Sequence, residues 1–506
     1  HCLIPRCMRT SPPTPVQHRP HLRPTMLDLE PSSSLGVLAL RGGVAGLARP
    51  ATPDALFNIM FGGLTALCAL VVLAAREQKS LKEIREKPKA GHGVRRLQLR
   101  FLLVFWLYKM ADWLQGPYFY EVYASKVLNG VQVSTQGVAR LFLTGFGSTA
   151  LFGAIVGGLV DSFGRKLGSL TFAFMYTLSA LSTRCSTLPM LLAGRVAGGV
   201  GTSLLFSAPE AWLVSEHQRS GFEGKWLSQT FTLAYFGDSI VAIIAGQLAG
   251  LVAGQRGPTA PFELSVIFLA VGAALALVTW RENSGGKTVE AAADTESSVS
   301  SEGESSTDIL SDAWRQLKAD RRIMLVGAVQ ALFEGAMYIF VLQWPPAMKT
   351  ALNGNVPFGK VFSCFMLCCM IGSSAFGAAS QRGVKPEDAM VVLLGLAALA
   401  MTSATVGCKA ALAPLVAAFF AFEACVGMYF PLIGTLRSKY VPDAYRGVIM
   451  NLFGIPLNLI VVIVFLSIGK LGLTGAFACS TTALVAAFGS SLALRSAAGR
   501  RPEANS

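Results

Sequence analysis

Twelve apolar stretches, each close to the ~20 helical residues needed to span about 30 Å of hydrocarbon, fall into two runs of six separated by short charged turns. The first run covers 99–120, 137–160, 167–183, 187–214, 226–253 and 261–280; the second covers 322–345, 357–379, 388–407, 411–436, 446–469 and 471–494. A thirteenth stretch, 52–75, precedes them. The tightest turn, Asp161-Ser162-Phe163-Gly164-Arg165-Lys166, places three charges and a turn glycine between two spans. With 52% hydrophobic and only 14% charged residues, the chain carries more apolar surface than a soluble core of this length needs. The expected fold class is an all-α polytopic membrane protein whose main partner is the lipid bilayer.

Composition divides the chain further. Residues 1–51 are Pro- and Arg-rich and are assigned no fold; they read as a basic targeting segment or as sequence ahead of a start at Met26. The stretch 52–75 is too long for a signal-peptide core and is expected to remain as an additional transmembrane helix, with 76–98 a basic linker. The two six-helix halves are then 99–280 and 321–495, followed by a tail at 496–506. Between the halves, 281–320 is acidic and rich in Ser, Glu, Gly and Ala, and cannot bury enough apolar surface to order itself. It is expected to be a disordered loop, with a plain solvated tether and serine phosphorylation both open.

Basic residues set the expected orientation. If the Asp161 turn is cytoplasmic, most loop Lys and Arg lie on its side, from Arg76 and Arg100 through to Arg437, Arg495 and Arg501, while the opposite loops hold Lys126, Arg184, Arg256, Lys349, Lys360, Lys409 and Lys470. The N-terminus is then outside and the C-terminus cytoplasmic. The formal charge of +14 is a topology signal and not a nucleic-acid one, because the basic residues are spread over several loops rather than gathered on one face with interleaved aromatics. No phosphate-binding glycine loop, metal constellation or clustered histidine is present: the five histidines are placed in tails or loops, and the cysteines are placed as packing residues. No enzymatic activity, cofactor or nucleotide is expected.

Two sets of six spans joined by an Asp-x-x-Gly-Arg-Lys turn resemble the major facilitator superfamily of secondary transporters. The run Arg195-Val196-Ala197-Gly198-Gly199-Val200-Gly201 is similar to that superfamily's buried arginine with small residues that let helices approach closely. Four further runs, Ala111–Tyr118, Leu204–Trp212, Ala331–Tyr338 and Ile449–Asn458, are similar to its molybdate-anion transporter branch, which has an extra N-terminal helix. The resemblance implies uptake of the molybdate oxyanion, most often across the plasma membrane. It also implies an arginine where this chain has Gly454, and an aromatic residue where it has Pro209, which is expected to loosen its helix.

The residues suit an ion carrier on their own account. Ionisable groups inside spans are costly and usually functional, and internal repeats place substrate and coupling-ion sites near the bilayer midplane. Asp112 lies twelve residues after Arg100 and Glu334 twelve after Arg322, so the first helix of each half carries a carboxylate roughly 18 Å from one face. Arg195 and Lys109 bring positive charge to similar depth, and Asp238 and Glu423 add two acids as possible coupling groups. Four carboxylates against two bases make a poor cage for a dianion unless something neutralises the surplus. The expected mechanism is therefore proton-coupled uptake, in which a protonated Asp112 or Glu334 lets Arg195 draw in the oxyanion. Ion pairing that merely holds helices together is the alternative reading, and for Lys109 and Asp112, three apart on one helix, the two weigh equally. Gln115 and Asn451 are candidate amide donors to oxyanion oxygens. Glu210 is expected to pair with Arg165 or Lys166 and, with Asp161 and Gly164, to form a cytoplasmic gate. A carrier of sulfate, a cation or a neutral solute, or a membrane sensor on the same fold, remains the alternative function.

Overall fold

The computed structural model describes residues 52–77, 91–283, 314–407, 411–442 and 446–499. The expectations for 1–51, for most of 76–98 and of the inter-half linker, and for 500–506 lie outside the described residues, as do the side chains of Asp161 and Asn451. The helices are α1 Pro53–Glu77, α2 His92–Gln115, α3 Phe119–Ala124, α4 Thr135–Phe163, α5 Arg165–Ser182, α6 Leu188–Leu205, α7 Ala208–Arg219, α8 Gly224–Arg256, α9 Ala260–Thr279, α10 Arg321–Ala351, α11 Phe358–Gln381, α12 Pro386–Gly407, α13 Leu412–Tyr440 and α14 Arg446–Gly499. Among the described residues, nine stretches are long and apolar enough to cross a membrane. Helix α2 is not one of them, because Arg95, Arg96, Arg100, Lys109 and Asp112 lie along it.

Local chemistry explains the helix ends. Ser134 caps α4 by accepting from Gly137 N at 3.2 Å, and Asp320 caps α10 by accepting from Arg322 N at 2.8 Å, each satisfying a donor the helix leaves open. Pro189, Pro209 and Pro261 stand in the first turns of α6, α7 and α9, where the missing N–H costs nothing. Pro209 does more than loosen its helix: the single segment expected at 187–214 is two helices, broken at Phe206 and Ser207. The last two expected segments are the two parts of α14, which meet at a kink where Gly472 has non-helical angles, φ 62° and ψ −173°. The all-helical expectation missed a small hairpin, β1 Val127–Leu128 paired with β2 Val131–Gln132. Its signal was present, since Asn129-Gly130 is the dipeptide that accepts the two positive φ values, 51° and 80°, of a tight hairpin turn.

The halves pack as the repeat predicts. In the first, α2 lies against α8 and α9, and α6 against α4 and α5; in the second, α10 and α12 lie on α14, and α11 on α13. Close approach depends on missing side chains: a Cβ on Gly199 would sit 2.6 Å from Gly145 O, so α4 and α6 touch backbone to backbone. This is how helices associate where lipid supplies no hydrophobic drive. The additional helix α1 lies on α11, held by an ion pair of 2.7 Å between Asp54 and Lys360.

The halves meet through α8 with α11 and α4 with α14. Polar bonds tie them toward the end of the bundle opposite the 161–166 turn. Lys349 Nζ reaches both oxygens of Glu121 at 2.9 and 3.0 Å, Gln136 joins Gly469 N at 2.9 Å and Phe465 O at 3.1 Å, and Ser363 donates to Ile243 O at 2.9 Å. In the carrier that the sequence resemblance implies, that end has to open. The single reversal Glu121→Lys is expected to lower uptake about ten-fold, the scale of one partly desolvated ion pair, and the swap Glu121→Lys with Lys349→Glu to restore it; uptake in cells expressing matched amounts of each variant checks this.

Candidate functional site

The structure sorts the spans' ionisable residues into groups the sequence could not separate. In the first half, Lys109 is buried, 5% exposed, with its ammonium 3.5 Å from Asp238 Oδ2 on α8 and 3.8 Å from Asp112 Oδ2 on its own helix. Trp113 Nε1 donates to Asp238 Oδ1 at 2.7 Å. Tyr176 OH, from α5, donates to Asp112 Oδ1 at 2.8 Å and lies 2.9 Å from Thr202 Oγ1 on α6. The Lys109 ammonium also stands over the rings of Trp113 and Phe206, 5.3 and 5.1 Å from their centroids, a favourable position for a cation. Phe206, at the α6–α7 break, is itself 63% exposed.

Arg195 projects from α6 to the same neighbourhood and lies within electrostatic reach of Tyr176. Its guanidinium stacks on Phe119 at 4.3 Å and occupies the space a side chain at Gly145 would need, 2.4 Å from Nη2 to that missing Cβ. Its Nε is buried without a hydrogen-bond partner. A forked cation with an unused donor inside the bundle can bind an anion's oxygens.

The second half holds a related arrangement with one member that loop counting concealed. Arg437 reads from sequence as a loop residue, yet α13 runs on to Tyr440, and Arg437 turns back to Glu334. Arg437 Nη2 donates to Glu334 Oε1 at 3.1 Å, Nε donates to Gln330 Oε1 at 3.0 Å, and Tyr429 OH donates to Glu334 Oε1 at 3.0 Å. Each half therefore presents a carboxylate from its first helix to a tyrosine hydroxyl. The signal in the sequence is weak: Arg437 and Tyr429 are eight residues apart, two helical turns.

Other expected members lie elsewhere. Gln115 is buried and donates to Ser265 Oγ at 3.1 Å, joining α2 to α9. Glu423, 7% exposed, sits between α13 and α11 and takes a thiol donor, Cys369 Sγ at 3.0 Å, with no cation beside it among the described residues. The expected excess of four acids over two bases is thereby revised: Glu423 leaves the group, Arg437 joins it, and Asp112, Asp238 and Glu334 stand against Lys109, Arg195 and Arg437.

Two members of the expected gate, Glu210 and Lys166, have the following partners. Glu210 accepts from Tyr235 OH at 2.5 Å, and the Lys166 ammonium is taken by the carbonyls of Leu277 and Trp280 at 2.8 and 3.0 Å. The acid at the turn is Glu282, whose two oxygens accept from Lys166 N and Leu167 N, both at 2.9 Å. Arg281–Asn283 are thus tied to the bundle, with Asn283 buried, although they fall within the linker expected at 281–320. Trp280 stacks on Trp212 at 4.0 Å, and Trp212 Nε1 donates to Arg281 O at 2.8 Å. His217, read as a loop residue, is 5% exposed inside α7.

A model of the family described as sugar transporters with 12 transmembrane segments matches residues 56–429. A molybdate-anion transporter of Takifugu rubripes is 32% identical over 431 residues, covering 82% of this chain and 87% of the relative; one of Xenopus tropicalis is 31% identical over 407 residues, covering 79% and 84%. The chain belongs to the molybdate-anion transporter family. This member of the family shares its fold with solved transporters of low identity. A POT-family transporter superposes with TM-score 0.63 at 12% identity, covering 82% of this chain and all of its own, and a D-xylose–proton symporter with 0.60 at 13%, covering 81% and 98%. The protein is a multi-pass integral membrane transporter.

Proposed function

We propose that this transporter takes up molybdate across the plasma membrane, coupled to protons, with its N-terminus outside and its C-terminus in the cytoplasm. The observation that carries the reading is that both halves hold a basic side chain against a carboxylate of their first helix: Lys109 with Asp112, and Arg437 with Glu334. The relatives' names supply the substrate, and the excess of basic residues on the 161–166 side supports the orientation. With three acids against three bases the group is neutral when every member is charged. A dianion then adds charge that low-dielectric surroundings penalise. Protonating one carboxylate frees its base, and the oxyanion takes the vacated partner. Arg195, with its unused Nε, is the first contact in this reading, and Arg437 the second. Gly454 has room for a longer side chain, the nearest atom to a Cβ there being Asn458 Nδ2 at 3.9 Å; Arg437 supplies a guanidinium to the same half without it.

Molybdate accumulation at low external concentration, with and without excess sulfate, in cells lacking their own uptake tests the reading. Sulfate-resistant accumulation supports it. No accumulation in correctly inserted protein shifts the substrate to another solute, the sugar of the family description included. Arg195→Lys is expected to lower molybdate uptake by about ten-fold, since a point-like ammonium cannot replace the planar fork; unchanged uptake kinetics would take Arg195 out of the site.

A further inference from the structure

The three acids of the site differ in what their hydrogen-bond partners can do when a proton arrives. Asp238 is held by the Lys109 ammonium and the Trp113 N–H, and both are donors only. A proton on Asp238 would meet no acceptor among them. Asp112 is different, because Tyr176 is a hydroxyl and a hydroxyl both donates and accepts. Behind Tyr176 stands Thr202 Oγ1 at 2.9 Å, and behind Thr202 the carbonyl of Gly198, 2.9 Å from that hydroxyl oxygen. Glu334 has one hydroxyl partner, Tyr429, but shares the accepting oxygen with Arg437, a donor only.

Resting on the proton-coupled reading above, we infer that Asp112 is the proton-loading acid and that Tyr176 and Thr202 are positioning residues forming a reversible hydroxyl relay that serves both of its protonation states. With Asp112 ionised, Tyr176 donates to Oδ1 and accepts from the Thr202 hydroxyl. When a proton from the medium reaches Oδ1, a new O–H bond forms there and donates to the Tyr176 oxygen. The Tyr176 hydrogen turns to Thr202 Oγ1, and the Thr202 hydrogen turns to Gly198 O. No bond in Tyr176 or Thr202 breaks; two hydrogens rotate, and both hydroxyls stay paired in both states. Burial makes this matter, since an unpaired polar group in such a site costs far more than the mean worth of a hydrogen bond.

Access and charge agree with the assignment. The Asp112 side chain is 25% exposed and that of Asp238 is 15%, so water reaches Asp112 more readily. The charged and titratable groups facing Asp112 are Lys109 from its own helix and Tyr176 from α5, with Asp238 of α8 across Lys109 and Arg195 of α6 facing Tyr176. Further out, α9 offers Ser265 to Gln115, and α7 offers Glu210 to Tyr235. Loading Asp112 leaves Lys109 paired with Asp238 alone and adds one positive charge to the group that includes Arg195, which is the state that attracts an anion.

The test is the pH profile of molybdate uptake by the full chain, carried from neutral to mildly acidic medium, in the wild type and in Tyr176→Phe, Thr202→Val and Thr202→Ser. The relay predicts that Tyr176→Phe loses about ten-fold of the acid-stimulated uptake, that Thr202→Val flattens the profile, and that Thr202→Ser retains it. A merely structural role would scale uptake equally at every pH. Where Tyr176→Phe fails to reach the membrane, the Thr202→Val and Thr202→Ser pair makes the same distinction. A wild-type pH profile preserved in the Tyr176 and Thr202 variants overturns the relay and leaves the proposed function standing. Absent or pH-independent molybdate flux in the wild type overturns the functional reading, and the relay with it.

Discussion

Replacing Arg437 by alanine is expected to destabilise the protein by about 3–5 kcal/mol, the cost of stranding a buried charge, and to abolish uptake. Glu334 keeps only 14% of its side chain accessible, and Arg437 is its only cation among the described residues. Removing the guanidinium leaves the carboxylate with neutral partners only, the Tyr429 hydroxyl and the Gln330 side chain, and frees the Gln330 oxygen as well. The double variant Arg437→Ala with Glu334→Gln removes the stranded charge and should recover most of the lost stability, because replacing both members of a pair costs far less than breaking it. Uptake should stay absent in the double variant if the pair belongs to the site. Melting temperature in detergent and uptake in cells separate the two effects, and an Arg437→Ala protein as stable as the wild type would refute the argument.

The second large effect is expected at the turn. Gly164 has φ 119° and ψ 141°, in a region that side chains avoid, and a Cβ there would lie 2.5 Å from the Glu282 carboxyl carbon. Gly164→Ala should cost about 1–3 kcal/mol from backbone strain alone, and more from displacing Glu282. That displacement also uncaps α5, whose Lys166 and Leu167 N–H groups both depend on Glu282. Glu282→Ala should remove the steric part. The double variant is then expected to lose less stability than the sum of the singles, the signature of residues in contact. Thermal unfolding of the four proteins measures this, and strict additivity would show that the carboxylate and the glycine are independent.

Much of the architecture was legible without coordinates. Span length, the basic residues of the loops and the Asp161–Lys166 turn are local properties of the chain, and hydrocarbon thickness converts them directly into helices. The match between Asp112 and Glu334 was legible for the same reason, since depth follows from residue count at a fixed rise. Misreadings arose where length misleads. Arg437 was assigned to a loop because a helix can outrun the apolar stretch that identifies it, and α13 carries polar residues through its last turn.

What the tertiary structure decided was partnership. Asp238 and Lys109 lie 129 positions apart in the chain, Tyr176 and Asp112 64 apart, and nothing in either local stretch says that they meet. Glu210, Glu282 and Glu423 look alike as acids near or within spans, yet one takes a tyrosine hydroxyl, one three backbone N–H groups and one a thiol. The sequence by itself determined that the chain forms long apolar helices able to cross a membrane, because span length depends only on distance along the chain. Which charge neutralises which, and which acid has a partner able to follow its proton, was decided only by the packing of α2, α5, α6, α8, α10 and α13, because those pairings depend on helix rotation and crossing angle.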